Sequence, residues 1–176
     1  MTAYDLARIQ RELAGMDNAA NTTAKGNNLQ HLTDYLLSQI PGVTIRAKNI
    51  LDHTRSDEKD LWIRHSGVCS LPFSDLYLPV ECKNEQRSTS ASEIRDFAAK
   101  IRYSSGTDGL LVTRTGLSGT PGNRAHDAIH LELANQVRIT VITCADLDKL
   151  TDTDDLVELL NERFFELRSN KTYVTI

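Results

Sequence analysis

The sequence predicts an α/β fold, with a mixed central β-sheet built from an antiparallel meander continued by βα crossovers and flanked by helices. Three observations predict it. Strand-like apolar patterns cluster in three successive segments between residues 43 and 83. From Ser90 onward, helical and apolar-strand patterns alternate as α-β-α-β. No segment approaches the ~18 consecutive apolar residues that span a membrane, so a sheet in this chain has to be covered by amphipathic helices.

The elements follow in order. "MTAYDLARIQRELAG" reads as a polar amphipathic helix without the basic start or apolar run of a signal peptide, which places the protein in the cytoplasm with no membrane partner. From Gly26 onward, Leu29, Leu32, Leu36, Leu37 and Ile40 recur at helical spacing until Pro41-Gly42 stops the run. "VTIRAKNIL" (43–51) and "DLWIR" (60–64) alternate as strands do, with "DHTRSDEK" turning between them, and "YLPVECK" (77–83) is a third strand. The excursion around "HSGVCSLPFSD" (65–77) has no readable shape. "SASEIRDFAAKIRYSS" carries one stripe of Ile94, Phe97, Ala98 and Ile101, and "SSGTDG" ends it. "GLLVTR" is a buried strand, "PGNRAHDAIHLELANQ" a helix with Pro121 near its start, and "VRITVIT" another buried strand. "ADLDKL" is a short helical piece, and "TDTDDLVELLNERFFEL" is a helix whose acidic first turn suits its N-terminus.

The bulk numbers agree with one ordinary domain. A chain of 176 residues with 40% apolar and 25% charged residues buries roughly two-thirds of its unfolded surface. Cys69, Cys82 and Cys144 form no C-x-x-C pair, so neither a disulfide framework nor a zinc knuckle is suggested. The net charge of −4 is uneven: eight acids against three bases from Cys144 to Arg168, but seven bases against five acids from Glu81 to Arg124.

The charged end of "YLPVECK" calls for an explanation. Alternate side chains share a strand face, so Glu81 and Lys83 are neighbours, while Val80 and Cys82 face the other way. If the strands pair as a meander, Asp60 lies beside Glu81. Two close carboxylates repel unless a cation sits between them, and Mg²⁺ suits two carboxylates plus the Cys82 carbonyl, with positions left for a phosphate oxygen and a water. Lys83 then orients or helps to deprotonate that water. The same repulsion implies that neutralising Asp60 or Glu81 does not destabilise the metal-free protein.

Asp60 followed by Glu81-Cys82-Lys83 at the end of a later strand resembles the D…E-x-K signature of the PD-(D/E)xK nuclease superfamily. "GNNLQHLTDYLL" resembles the leading helix of its Mrr-like branch. "VECKN", "EIRDFAAKIR", "DGLLVTRTGLSG" and "VRITVITCADLDKL" resemble that branch's strand-helix-strand-helix-strand core. The resemblance runs from Gly26 to about Leu160, which implies a nuclease-like domain spanning 26–176 behind an N-terminal helical addition, 1–25. It implies a restriction-endonuclease-like fold and a metal-dependent endonuclease of restriction, defence or repair type. It also implies a Mg²⁺ cofactor for which Mn²⁺ substitutes and a nucleic-acid partner, with double-stranded DNA favoured. Gln30 stands where the family often has a metal-facing glutamate, so it enters the catalytic set beside Asp60, Glu81 and Lys83. Asp57 or Glu58 remains an alternative to Asp60. Asn84 and Arg87, just past the strand, are candidate phosphate contacts. Cutting both strands with one site per chain calls for a homodimer, alone or within a larger defence or repair complex.

Blander readings stand beside these. A surface salt bridge explains Glu81 and Lys83 if the strand is an edge, but the apolar "LPV" before them points to a central strand. A nuclease-fold subunit without activity, binding nucleic acid or serving assembly, is the alternative function. His126 and His130 in "HDAIH" share the spacing of a zinc-peptidase helix, with Asp127 in place of its glutamate and no third ligand following. "TGLSGTPGN" spaces Gly116, Gly119 and Gly122 between a strand and a helix without a nucleotide-loop pattern, so a crossover loop is the better reading.

Overall fold

The structure is a computed structural model that describes residues 1–18, 22–51, 58–119 and 124–169, with the side chains of 17–18, 22–27, 49–51 and 58–60 outside the description. Two helices, α1 (Leu6–Asn18) and α2 (Thr22–Ser38), precede β1 (Val43–Leu51), β2 (Glu58–His65) and β3 (Tyr77–Lys83). Then come α3 (Ala91–Tyr103), β4 (Asp108–Thr113), α4 (Ala125–Ala134), β5 (Arg138–Thr143), α5 (Cys144–Leu147) and α6 (Thr153–Arg168). The strands form one five-stranded sheet in the order β1-β2-β3-β4-β5. The first two pairings are antiparallel and the last two parallel. The expected mixed sheet, with a meander followed by crossovers, is what the chain forms.

Alternation sorts the strands onto two layers. Leu61, Ile63, Leu78, Val80, Leu110, Val112 and Ile142 join the core shared with α1, α2 and α6, while Leu111, Ile139 and Val141 join that under α3 and α4. β3 is the hinge of the topology, antiparallel to β2 on one side and parallel to β4 on the other. Lys83 accepts at its carbonyl from Arg114 N–H at 2.9 Å. Backbone groups of successive strand residues point to opposite sides, so positions 79, 81 and 83 face β4, and 80 and 82 face β2. Pro79 therefore aims its missing N–H at β4 one residue before that ladder begins at Val80↔Leu110, and no ladder bond is lost.

α3 lies unusually close to the sheet. A Cβ on Gly109 would stand 2.4 Å from Ile101 Cδ1 and 3.0 Å from Phe97 Cε1, so any side chain there would have to displace Ile101 and crowd Phe97.

The excursion between β2 and β3 is held by polar anchors and two buried apolar side chains. Leu71 and Phe73 enter the core, and Phe73 meets Phe164 edge-on with centroids 6.1 Å apart. Asp75 accepts from the backbone N–H groups of Thr107 and Asp108 at 2.5 and 2.8 Å. Asp108 accepts from Ser74 N–H at 2.7 Å and from Arg138 Nε at 2.5 Å. Buried Asp108 thus ties the excursion to the start of β4 and to β5.

Several boundaries differ from the sequence reading. α2 begins at Thr22, so the division at 25/26 falls inside a helix. Its first turn, Thr22–Lys25, carries no apolar periodicity to announce it. α1 shares the main core through Ile9 and Met16. The buried stripe of α4 is Ala125, Ala128, Ile129 and Glu132, with Leu133 only partly buried, because Glu132 is paired with Arg102 of α3. Pro121 and Gly122 lie outside the described residues. Among the described residues no helix is long and apolar enough to cross a membrane.

Candidate active site

Glu81 sits near the end of a central strand, on the α3 face, with the residue only 5% exposed. An isolated carboxylate there would be costly, and two ammonium groups answer it. Lys83 Nζ lies 2.9 Å from Glu81 Oε1. Lys100 Nζ lies 3.2 Å from Oε1 and 3.3 Å from Oε2, astride the carboxylate. Lys83 comes from two positions along the same strand, as alternation predicts. Lys100 comes from the third turn of α3, next to the buried Ile101. Sequence reasoning missed Lys100. Its signal was a cation flanking the buried stripe of the helix that follows the E-x-K strand, a position that must look down on the strand.

The other predicted residues are placed as follows. β2 and β3 pair from Leu61↔Val80 to Arg64↔Tyr77. Continued by one residue, that register sets Asp60 across from Glu81. Val80 faces β2 with its backbone groups, so Leu61↔Val80 is a hydrogen-bonded pair and the next is not; in such a pair the two Cα atoms are closest. The side chain of Asp60 and those of Asp57 and Glu58 lie outside the described residues. Cys82 directs its carbonyl toward β2, beyond the last of these pairs. Its thiol faces the opposite layer, with Sγ 3.6 Å from Thr33 Oγ1 of α2. Gln30 is buried on the same helix, one turn before Thr33.

Asn84 is buried directly after the strand. Arg87 is held elsewhere: it donates to Glu93 at 2.7 and 3.1 Å and pairs with Glu85 at 2.6 Å. Glu93 closes a capping box with Ser90 at the start of α3. Partial burial works against ionisation of Glu93, yet hydrogen bonds from Arg87 and Ser90, with the Arg87 charge, hold its carboxyl down to about 2. Arg87 therefore serves the helix cap in this structure.

The histidines of α4 do not stand out as ligands. Burial, seconded by the neighbouring His130, lowers the pKa of His126. Gly116 adopts φ 83°, and its carbonyl accepts from Thr89 N–H at 2.9 Å, which makes the start of its loop a turn docked on the segment before α3. Among the described residues no three His, Cys, Asp or Glu side chains converge as a metal-binding group. The Glu81 carboxylate and the Cys82 carbonyl are hard oxygen donors of the kind Mg²⁺ prefers. No protein-family model matches the chain, and no curated protein matches it.

Proposed function

We propose that this protein is a metal-dependent nuclease of the PD-(D/E)xK type, with a restriction-endonuclease-like fold, hydrolysing phosphodiester bonds in DNA. The observation that carries the reading is a buried carboxylate, Glu81, bonded to Lys83 where the sheet changes from antiparallel to parallel pairing. Asp60 is the register neighbour of that carboxylate. In this reading Asp60, Glu81 and the Cys82 carbonyl hold Mg²⁺ or Mn²⁺. The ion, when bound, polarises the phosphodiester and offsets charge on the attacking and leaving oxygens.

The chain's own groups do the remaining work. Lys83 is the more exposed of the two lysines, at 28% against 14% for Lys100, and in this reading its ammonium orients the attacking water. In this reading Gln30, buried on α2 in the layer that the Cys82 thiol faces, completes the catalytic set. Duplex DNA is the favoured substrate, and two chains related by a two-fold axis supply one site per strand.

A second reading is supported by one specific observation. Glu81 is already compensated by two lysines of its own chain, as in a nuclease fold kept for nucleic-acid binding or assembly without cutting. Plasmid nicking with Mg²⁺ or Mn²⁺, with and without chelator, separates the two. We expect chelator-sensitive cleavage, reduced at least about 100-fold by Lys83→Ala while DNA binding is retained. Absence of cleavage alongside retained binding supports the second reading, and equal loss of binding and cleavage in the variant reassigns Lys83 to anchoring.

A further inference from the structure

The two lysines on Glu81 are not equivalent. Lys100 reaches both carboxylate oxygens, at 3.2 and 3.3 Å, while Lys83 makes its ion pair to Oε1 at 2.9 Å. Lys100 projects from a helix whose position is fixed by Ile94, Phe97, Ala98 and Ile101, all buried, and by the close approach of Gly109. Its side chain is the less exposed of the two. Lys83 is the last residue of its strand, followed by the segment that leads to α3. Leaving Glu81 costs Lys83 less, because its side chain has more contact with water.

A cation approaching Glu81 needs one edge of the carboxylate, and one ammonium has to vacate it. If both left, a buried carboxylate would face the ion without a fixed orientation. We propose that Lys100 is the positioning residue of this site: it stays on Glu81 as a standing counter-ion and fixes the carboxylate, while Lys83 withdraws to admit a divalent cation and face the water. This inference rests on the nuclease reading for the cation, but the division of labour between the lysines shows in the metal-free protein as well.

The test compares Lys100→Met, Lys100→Arg and Lys83→Met. Two measurements need no cleavage: melting temperature in chelator, and Mn²⁺ binding followed by electron paramagnetic resonance in the absence of nucleic acid. In chelator, Lys100→Met is expected to lose about 4–8 °C and Lys83→Met less than about 2 °C, with Lys100→Arg recovering most of the loss. For Mn²⁺, Lys83→Met is expected to bind several-fold more tightly, because a competitor for the carboxylate is gone. Lys100→Met is expected to bind several-fold more weakly, because the carboxylate has lost its orientation. A purely structural Lys100 would change the melting temperature without weakening Mn²⁺ binding, and that result overturns the inference. So does tightening of equal size in both methionine variants, or equal melting losses. If Lys100→Met does not fold, Lys100→Arg carries the test: Mn²⁺ binding below parental strength with a near-parental melting temperature supports positioning, and tighter binding overturns it. A parent that binds no Mn²⁺ but keeps the melting asymmetry overturns the nuclease reading and the cation half of this inference, and leaves Lys100 as the counter-ion that fixes Glu81.

Discussion

At the scale of single residues, the surroundings of Glu81 set an attraction against the repulsion expected from charge pattern alone. Two adjacent carboxylates predict that neutralising one leaves the metal-free protein at least as stable. The structure surrounds Glu81 with Lys83 and Lys100, and its side chain is only 7% exposed. Glu81→Gln would leave two ammonium groups facing a neutral amide. Breaking a buried pair costs about 3–5 kcal/mol, and the residual solvent contact of both lysines reduces that, so a loss of about 1–3 kcal/mol is expected in chelator by urea denaturation. Unchanged or increased stability would show that repulsion from Asp60 dominates after all. The pairing of Glu81 with Lys83 was legible in the sequence, because a two-residue period needs no tertiary information. Lys100 was not, because its contact with Glu81 depends on how α3 crosses the sheet.

At the scale of elements, strand bounds were legible from apolar patterning: β1, despite a register shift between Ile45 and Ala47, and β3 run over the segments their patterns define. Helix starts were less so, and the β2–β3 excursion was opaque, because it is fixed by Asp75, Asp108 and Arg138, whose hydrogen bonds join positions thirty or more residues apart. The N-terminus of α3 shows how such local polar fixtures carry pH dependence. Glu93 falls from 4.5 to about 2 in the folded protein. A carboxyl with a folded value below its unfolded one contributes stability that is full above about 4.5 and is lost as pH falls toward 2. Glutamine at this position keeps the reciprocal bond of the capping box and removes only the charge. Glu93→Gln is therefore expected to cost about 1 kcal/mol at pH 7, after allowance for screening at the half-exposed Arg87. The gap between parent and variant should narrow between pH 4.5 and 2. Urea titrations at pH 7, 4 and 3 measure it, and a constant gap across that range would mean that the Arg87 ion pair contributes nothing.

At the scale of the whole molecule, the first residues are built into the same body as the sheet. Ala3 bridges Asp152, Tyr4 N–H donates to Thr151 O at 2.9 Å, and Thr153 N–H donates to Thr2 O at 3.0 Å. The Tyr4 hydroxyl donates to Leu36 O at 3.1 Å, and burial, with Tyr35 and the acids Asp152 and Asp155 nearby, pushes its phenol well above the ordinary value. Tyr4, Ile9 and Met16 are buried in the core that holds α2 against the strands, so α1 stabilises the helix that carries Gln30 and Thr33. Burial of each such side chain is worth about 1.5–3 kcal/mol, and three of them approach the about 5–15 kcal/mol total of a typical domain. Removal of residues 1–18 is therefore expected to abolish cooperative unfolding, and limited proteolysis of the intact chain should not yield a persistent fragment starting near residue 19. Both outcomes can be read by circular dichroism melting and mass spectrometry. A fragment 19–176 that melts cooperatively within a few degrees of the parent would make the N-terminal helix a separable addition, as the extent of the family resemblance implies. Loss of cooperativity would instead mean that α1 and the last helix, brought together by the Thr2–Thr153 and Tyr4–Thr151 bonds, close the core behind the Glu81 site from opposite ends of the chain.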